Sequence, residues 1–442
     1  MRFQIVQGDE SLTSHSGLAL VGAILDRTTL RERCQEIKLP GHPSPIVSNG
    51  DVVAAMIGLL CMGKPDFDAI EPFRDDPFFA RALDLDAVPS SPTLRQRLGR
   101  LAGEVDDLLR EESVLPRAGR VGALAPAVTP VHRDMVPLDI DVSPFDNSNT
   151  SKEGVSWTYK RFDGYAPIFA YLGGEGYLVD LELRSGSTHP SQEGPAFLRR
   201  TLHLSRQVTS APLLVRLDSA HDSIDTIQVC HEERVDYIVK RNLRGEDPDD
   251  WIREAQSWGH REEPRPGKVV WTGEGSVKRS EMDEPLRLVF QVTERTLTPT
   301  GQALLSPDLK VDTFWTSLPD PPEKVIDLYR DHATSEQFHS EIKSDLDLER
   351  LPSGKFATNQ LVLLLGMVAY NVLRLIGQES LRAADAPLRK HVKRRRLRSV
   401  MQDMIYLACR VVRHARRLSL SFGRHCPWLR TWRRVYLRFA PP

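Results

Sequence analysis

Residues 136–143, Val-Pro-Leu-Asp-Ile-Asp-Val-Ser, place two carboxylates, Asp139 and Asp141, two positions apart in an otherwise apolar run. Alternate residues of a strand point to one face, so a strand here puts both acids on the same side. A buried carboxylate without a partner is costly, and such a pair implies a cation or a basic partner. A strand ending in two solvated aspartates is the alternative.

The texture of the sequence changes at this point. Residues 11–114 read as helical, with GLALVGAILD, then DVVAAMIGLLCMGK closed by Gly63, then SSPTLRQRLGRLAGEVDDLLREE opened by Ser and Pro. An Ala-, Pro- and Gly-rich stretch follows as a linker. Strand-like runs come next (MVPLDIDVS, APIFAYLG, GYLVDLELRSG), then the helix-like EGPAFLRRTLHLSRQV, then PLLVRLD and VDYIVKR. Three antiparallel-looking strands, a helix and two more strands describe a mixed sheet flanked by helices. From 242 to about 318 the pattern is polar and β-rich, and at DPPEKVIDLYRD a long helix begins, with Asp320 placed to cap it and Pro321 in its first turn. The expected units are a helical domain at 1–116, a linker at 117–136, an α/β domain at 137–241 and 319–380 interrupted by a β-rich insertion at 242–318, and a basic helical region at 381–442.

Composition narrows the function classes. Of 442 residues, 40% are hydrophobic and 27% charged, which describes a globular protein and excludes a disordered or fibrous one. The formal net charge of −1 conceals an asymmetry: residues 381–442 hold 17 Lys/Arg against 2 Asp/Glu, net +15, leaving −16 for the rest. A basic tail suggests a polyanionic partner, with solvated amphipathic helices as the plain alternative. The five cysteines show neither CxxC nor Cys/His ligand spacing, so neither disulfides nor zinc are expected. The N-terminus lacks a signal peptide's apolar core, and the runs VVAAMIGLLCM and LVLLLGMVAY are too short to span a bilayer, so a cytoplasmic protein without a membrane partner is expected.

Two further acids join the first pair. Asp218, in PLLVRLDSAHDS, sits where an apolar strand runs into a loop, with Asp222 a nearby competitor. In DLYRDHATSEQFHSEIKSDL, at about 100° per residue with Tyr329 as zero, His332 falls near 300°, Glu336 near 340° and Lys343 near 320°. Glu341 falls near 120° and faces away, so Glu336 is the carboxylate of that stripe, although a solvated helix face also accommodates these residues. Two strand-end aspartates and one helical glutamate from separate parts of an α/β domain can converge on a pair of Mg²⁺ or Mn²⁺ ions, hard cations that prefer oxygen.

With these residues in place, the chain resembles the DDE transposases of bacterial insertion sequences, whose catalytic domain has a ribonuclease-H-like fold. The resemblance rests on LDIDVS, VRLDSAHD, GYAPIFAYLGGEGYLVDLELRSGSTH, DYIVKRN, GKFATNQLVLLLGMVAYNVLRLIG and a helix with the Tyr-Arg-Glu-Lys spacing, met here by Tyr329, His332, Glu336 and Lys343. It implies Asp141, Asp218 and Glu336 as catalytic ligands of two Mg²⁺ ions, with Mn²⁺ substituting, and Asp139 as the alternative first acid. It implies that Tyr329 and Lys343 contact DNA phosphate, with His332 replacing the family's arginine as a shorter donor without the bidentate fork. It also implies double-stranded DNA as partner, namely terminal inverted repeats and target, cleavage and strand transfer by in-line phosphoryl transfer, and a homodimer on DNA. The helical N-terminal domain would read the repeats, with Arg95, Arg97 and Arg100 on a recognition-type helix. Trp271 or Trp315 would stack on an extruded base, and Trp428 and Trp432 either stack on bases or anchor a core. A metal-dependent nuclease without strand transfer, or a domesticated DNA-binding protein, are the rival readings.

Overall fold

The protein is described by a computed structural model covering residues 2–39, 46–113, 128–189, 192–298, 300–415 and 417–440. Most of the expected linker lies outside these described residues.

The strand Val136–Val142 lies inside a nine-stranded mixed sheet, two strands from one edge. On one side it pairs in parallel with Leu213–Leu217, which pairs in parallel with Asp236–Lys240. On the other it pairs antiparallel with Ile168–Leu172, which pairs antiparallel with Tyr177–Glu182. Across these five strands the order is 3-2-1-4-5, and the helices Gly194–Val208 and Ile224–Glu232 provide the crossovers. All five residues of Ile168–Leu172 and of Leu213–Leu217 are buried, as continuous apolar strands covered on both faces require. This is the large mixed sheet expected of a ribonuclease-H-like fold.

Alternation along Val136–Val142 works as the sequence predicts. Leu138, Ile140 and Val142 enter one apolar layer with Phe197, Leu202 and Ile227 from the crossover helices. Asp139 and Asp141 take the opposite face, where helix Pro322–Arg330 packs. That helix is not capped by Asp320: its N-cap is Pro321, and the Asp320 carboxylate instead meets His132 at 2.9 Å and Arg133 at 3.1 Å.

The β-rich stretch expected at 242–318 does not stand apart from the sheet. Ala303–Thr316 pairs antiparallel with Asp236–Lys240, and Leu286–Leu297, Lys268–Val277 and His260–Arg265 continue outward as a meander. It also contains an unexpected helix, Pro248–Trp258, started by the Asp247 side chain and Pro248 in its first turn.

The other half of the molecule is helical and is organised by Phe356–Leu381. At 26 residues this helix is longer than the apolar run that marks it, and it is long and apolar enough to cross a membrane. Yet 94% of its apolar window is buried inside the protein. It lies along the edge strand Tyr177–Glu182 and satisfies that strand's free backbone: Asn371 Nδ2 donates to the Leu178 carbonyl at 2.8 Å and its Oδ1 accepts from Leu178 N at 2.9 Å. Gln360 Oε1 accepts from Leu183 N at 2.6 Å. Covering an exposed edge in this way blocks pairing with another chain.

Around the long helix, residues from both ends of the chain form one core. Leu20, Ile57 and Leu98 of the N-terminal helices pack in the same cluster as Leu365, Met404, Trp432 and Val435. Trp428 and Trp432 therefore anchor a core and are not stacking surfaces. The tail is also not purely helical. Cys409–His414 and Arg417–Phe422 form a β-hairpin, joined by Leu12–Thr13 as a third strand. Arg-Leu-Ser-Leu-Ser-Phe alternates with period two, the pattern of a half-buried strand.

Much of the tail's charge is neutralised internally. Arg394 meets Glu341 at 3.1 Å, Arg395 pairs with Asp403, Arg396 and Arg398 meet Asp345 at 2.8 and 3.3 Å, and Arg434 meets Asp385 at 2.6 Å. Gly63 ends the helix Asn49–Cys61 with φ +65°, and a Cβ there would lie 2.8 Å from the Asp345 carbonyl oxygen. Gly63→Ala is therefore expected to lower unfolding free energy by about 1–2 kcal/mol in denaturant titration, through left-handed strain alone, and by more if Asp345 cannot yield.

Candidate active site

The site is assembled around a charge pair on neighbouring parallel strands. Register places Asp139 beside Arg216. Arg216 Nε donates to Asp139 Oδ1 at 2.6 Å and Nη2 to Oδ2 at 2.7 Å, while Nη1 reaches the Leu328 carbonyl at 2.6 Å. His332 Nδ1 lies 3.0 Å from Asp139 Oδ1. Burial opposes the Asp139 charge, but Arg216 and His332 outweigh it and hold the carboxyl below its ordinary value. Both its oxygens are occupied.

Asp141, two residues on, faces a cavity of about 540 Å³ together with Asp218, Glu336, Tyr159, Tyr329 and His332. Its Oδ1 accepts from Val142 N at 2.8 Å and its Oδ2 lies 3.2 Å from His339 Nε2, whose Nδ1 is 3.1 Å from the Tyr171 hydroxyl. Burial would raise the Asp141 pKa, but the hydrogen bond and charge of His339 hold it down. Asp218 caps the turn after Leu213–Leu217, accepting from Ala220 N at 3.1 Å. Burial, then the charge of Asp141, pushes Asp218 up to about 6. The two carboxylates thus repel each other across a shared space. Glu336 is exposed on the short helix Ser335–Ser340, and no partner contacts it among the described residues. The same cavity is lined by Lys240, at the end of the strand Asp236–Lys240, and by Lys268, Arg295 and Lys310 of the meander; Lys240 and Lys310 share Asp312, which also lines it, at 2.8 and 2.7 Å.

A family model described as Transposase DDE domain group 1 matches residues 4–441. The chain belongs to this family. As a DDE transposase it is an enzyme that cleaves DNA and transfers strands. No curated protein matches the chain. Among solved structures, the cryo-EM structure of the piggyBac transposase synaptic complex with hairpin DNA aligns over 88% of this chain and 78% of that one, at 11% identity and a TM-score of 0.42.

In the transposase the three acids line one wall, but among the described residues no group of three His, Cys, Asp or Glu side chains is already drawn together closely enough to hold a metal ion. The donor set still fits a hard cation: the carboxylates of Asp141 and Asp218 crowd each other enough to raise one pKa, and Glu336 carries an uncommitted carboxylate into the same cavity. Asp139 does not line this cavity, because Arg216 consumes both its oxygens.

The helix carrying Glu336 departs from the single regular winding assumed from sequence. It runs as α-helix Pro322–Arg330, 3₁₀ turn Asp331–Thr334, α-helix Ser335–Ser340 and π-turn Glu341–Asp345. A 3₁₀ segment winds at three residues per turn and a π segment more slowly than an α-helix, so the expected stripe splits. Tyr329, His332 and Glu336 stay on the cavity. Lys343 leaves it: its Nζ donates to the Pro144 carbonyl at 2.6 Å, it lies 5.5 Å over the Phe145 ring, and burial lowers its pKa. Tyr329 packs on Phe314 and His332, with ring centroids at 4.8 and 5.5 Å.

His332 has one ring nitrogen committed inside the fold and one uncommitted. Its Nδ1 is committed to Asp139, and its buried Nε2 has no hydrogen-bond partner among the described residues. Glu341 faces away, as its angle predicts, and is buried against Arg374, Arg394 and the Tyr370 hydroxyl. On the helix Ser91–Leu101, Arg97 is buried and donates to Asn49 Oδ1 at 2.8 Å, so it cannot read DNA from this fold. Arg95 is exposed but already meets Asp68 at 3.5 Å and lies 5.5 Å over Phe67. Trp271 and Trp315 are both buried, and Trp315 donates to Asp222 Oδ1 at 3.0 Å between Arg241 and Arg279, so neither offers a face to a base.

Two residues that shape the site, Arg216 and His339, escape a reading that looks only for acids. Each left a signal. Arg216 precedes Asp218 by two positions just as Asp139 precedes Asp141, with opposite charge. On the same helical wheel His339 falls at about 280°, within about 20° of His332.

Arg216→Met is expected to cost about 3–5 kcal/mol in denaturant unfolding, because it strands a buried carboxylate. His332 carries a pKa raised above 6.5 by Asp139, against the effect of burial. Its stabilising contribution is therefore complete below pH 6.5 and is lost as pH rises through the raised folded value. The unfolding free-energy difference between wild type and His332→Gln is accordingly expected to shrink as pH increases over that range.

Proposed function

We propose that this transposase cuts DNA at the terminal inverted repeats of an insertion sequence and joins the ends to target DNA by in-line phosphoryl transfer. The observation that carries this reading is the convergence of Asp141, Asp218 and Glu336, from two strand ends and one helix, on a cavity also lined by Lys240, Lys268, Arg295 and Lys310. Those three carboxylates are the ligands for Mg²⁺ or Mn²⁺, two ions to a site. Bound there, the cations supply activation of the attacking hydroxyl and stabilisation of the leaving oxygen.

The chain's own residues do the rest. His339, backed by the Tyr171 hydroxyl, fixes the Asp141 carboxylate and keeps it ionised. Asp218, which burial and then the Asp141 charge push up to about 6, would hold a cation in its ionised form. Lys240, Lys268 and Lys310 place positive charge where a phosphodiester backbone must run. Tyr329 and Tyr159 close the cavity beside the acids with phenol groups that stay protonated, since burial raises both pKa values and the carboxylates add to the effect. A homodimer holding both element ends in the nucleoid completes the reading.

Asp141→Asn, Asp218→Asn and Glu336→Gln are each expected to lower cleavage and joining of labelled end DNA by roughly a thousandfold or more, since several kcal/mol of charge stabilisation is lost. Binding of the same DNA should be retained. Wild-type activity should vanish on chelation and return with Mg²⁺ or Mn²⁺. Products that are cut but never joined would leave a nuclease, and full activity in Glu336→Gln would overturn the assignment.

A further inference from the structure

Distant in sequence from the acid site, a second cavity of about 520 Å³ opens where the helix Pro77–Ala82 meets the tail hairpin. Arg81 comes from the helix, and Arg413 and Arg417 come from the two strands of the hairpin near its turn. The floor is apolar, with Phe78, Val411 and Leu418, and no carboxylate lines it. All three arginines are exposed, and among the described residues none of them makes an ion pair.

Several other guanidiniums of the tail are committed inside the fold: Arg394, Arg395, Arg396, Arg398 and Arg434 are each matched to an acid. Three unmatched guanidiniums in one groove, contributed by segments more than three hundred residues apart, leave a strong positive field over a surface of low polarity. A guanidinium fork binds phosphate oxygens bidentately and carries no base information. An exposed, uncommitted set of forks with no carboxylate among them suits the repeating phosphates of a duplex.

We propose that the groove formed by Arg81, Arg413 and Arg417 is a sequence-independent docking site for the phosphate backbone of duplex DNA. The proposal rests on the reading of the protein as acting on DNA, but it invokes none of the residues of the acid site.

The test compares wild type with the triple variant Arg81→Ala/Arg413→Ala/Arg417→Ala and with the triple Arg→Lys variant, using a mixed-sequence 30-bp DNA duplex followed by fluorescence anisotropy at several KCl concentrations. Each phosphate neutralised contributes about 0.9 to the slope of log K against log salt, so the alanine variant should lose about 2.7 of that slope and bind at least about tenfold more weakly at low salt. The lysine variant should keep most of the slope. Because the three side chains have no internal partners, the melting temperature of the alanine variant should match wild type. A wild-type slope in the alanine variant overturns the proposal. So does a loss confined to phosphatidylserine vesicles or single-stranded RNA with duplex binding unchanged. If wild type cleaves end DNA and the alanine variant keeps its slope, only the groove is disproved. If the slope falls as expected but wild type never cuts DNA, the groove stands and the catalytic reading fails.

Discussion

The buried pair Asp139–Arg216 is the contact on which the site's geometry depends. It locks two parallel strands in register, and the third nitrogen of the guanidinium holds the carbonyl of Leu328 near the end of the helix that leads to Glu336. His332, one turn further, closes onto the same carboxylate. A slip of one residue between the strands would turn every side chain to the opposite face, expelling Asp141 from the cavity and stranding Arg216. A buried ion pair is often no more stabilising than apolar residues of the same volume. Its contribution here is to exclude other registers, so the three acids meet at one place without being bonded to each other.

The helix bearing Glu336 divides its carboxylates between two tasks. Glu336 is uncommitted, whereas Glu341 and Asp345 fall in a π-turn and bind Arg374, Arg394, Arg396 and Arg398. Part of the large positive charge of the tail is thus the counterpart of acids next to the site. Within residues 341–434 these pairs take tail arginines out of reach of an outside polyanion. What remains unpaired is concentrated at particular places.

Much of this was legible in the amino-acid sequence, for identifiable reasons. The strand runs, the crossover helix, the Gly63 terminus and the shared face of Asp139 and Asp141 follow from periodicities of two and 3.6 and from backbone chemistry. That Asp218 and Glu336 could converge with Asp141 was suggested by their places at strand ends and on a helix, but the spacing within each element says nothing of how elements meet, and the resemblance supplied the specific choice. The choice between Asp139 and Asp141 required the partner strand, since only register reveals that Arg216 faces one and not the other. Lys343 was misplaced because a wheel drawn at a fixed angle cannot anticipate a 3₁₀ turn followed by a π-turn. Arg97 and the tail arginines looked like DNA contacts because composition counts charges without showing which of them have partners inside the fold.

The core shared by the two ends of the chain bears on how the protein is made. The N-terminal helices bury Leu20, Ile57 and Leu98 against residues as late as Trp432 and Val435, and Leu12–Thr13 is a strand only because Cys409–His414 pairs with it. The N-terminal helices therefore cannot bury their apolar faces in this core without residues 404–435. The layer of Leu138, Phe197 and Ile227 under the sheet draws on neither segment, so the two cores of the molecule differ in how much of the chain each must gather before it can close.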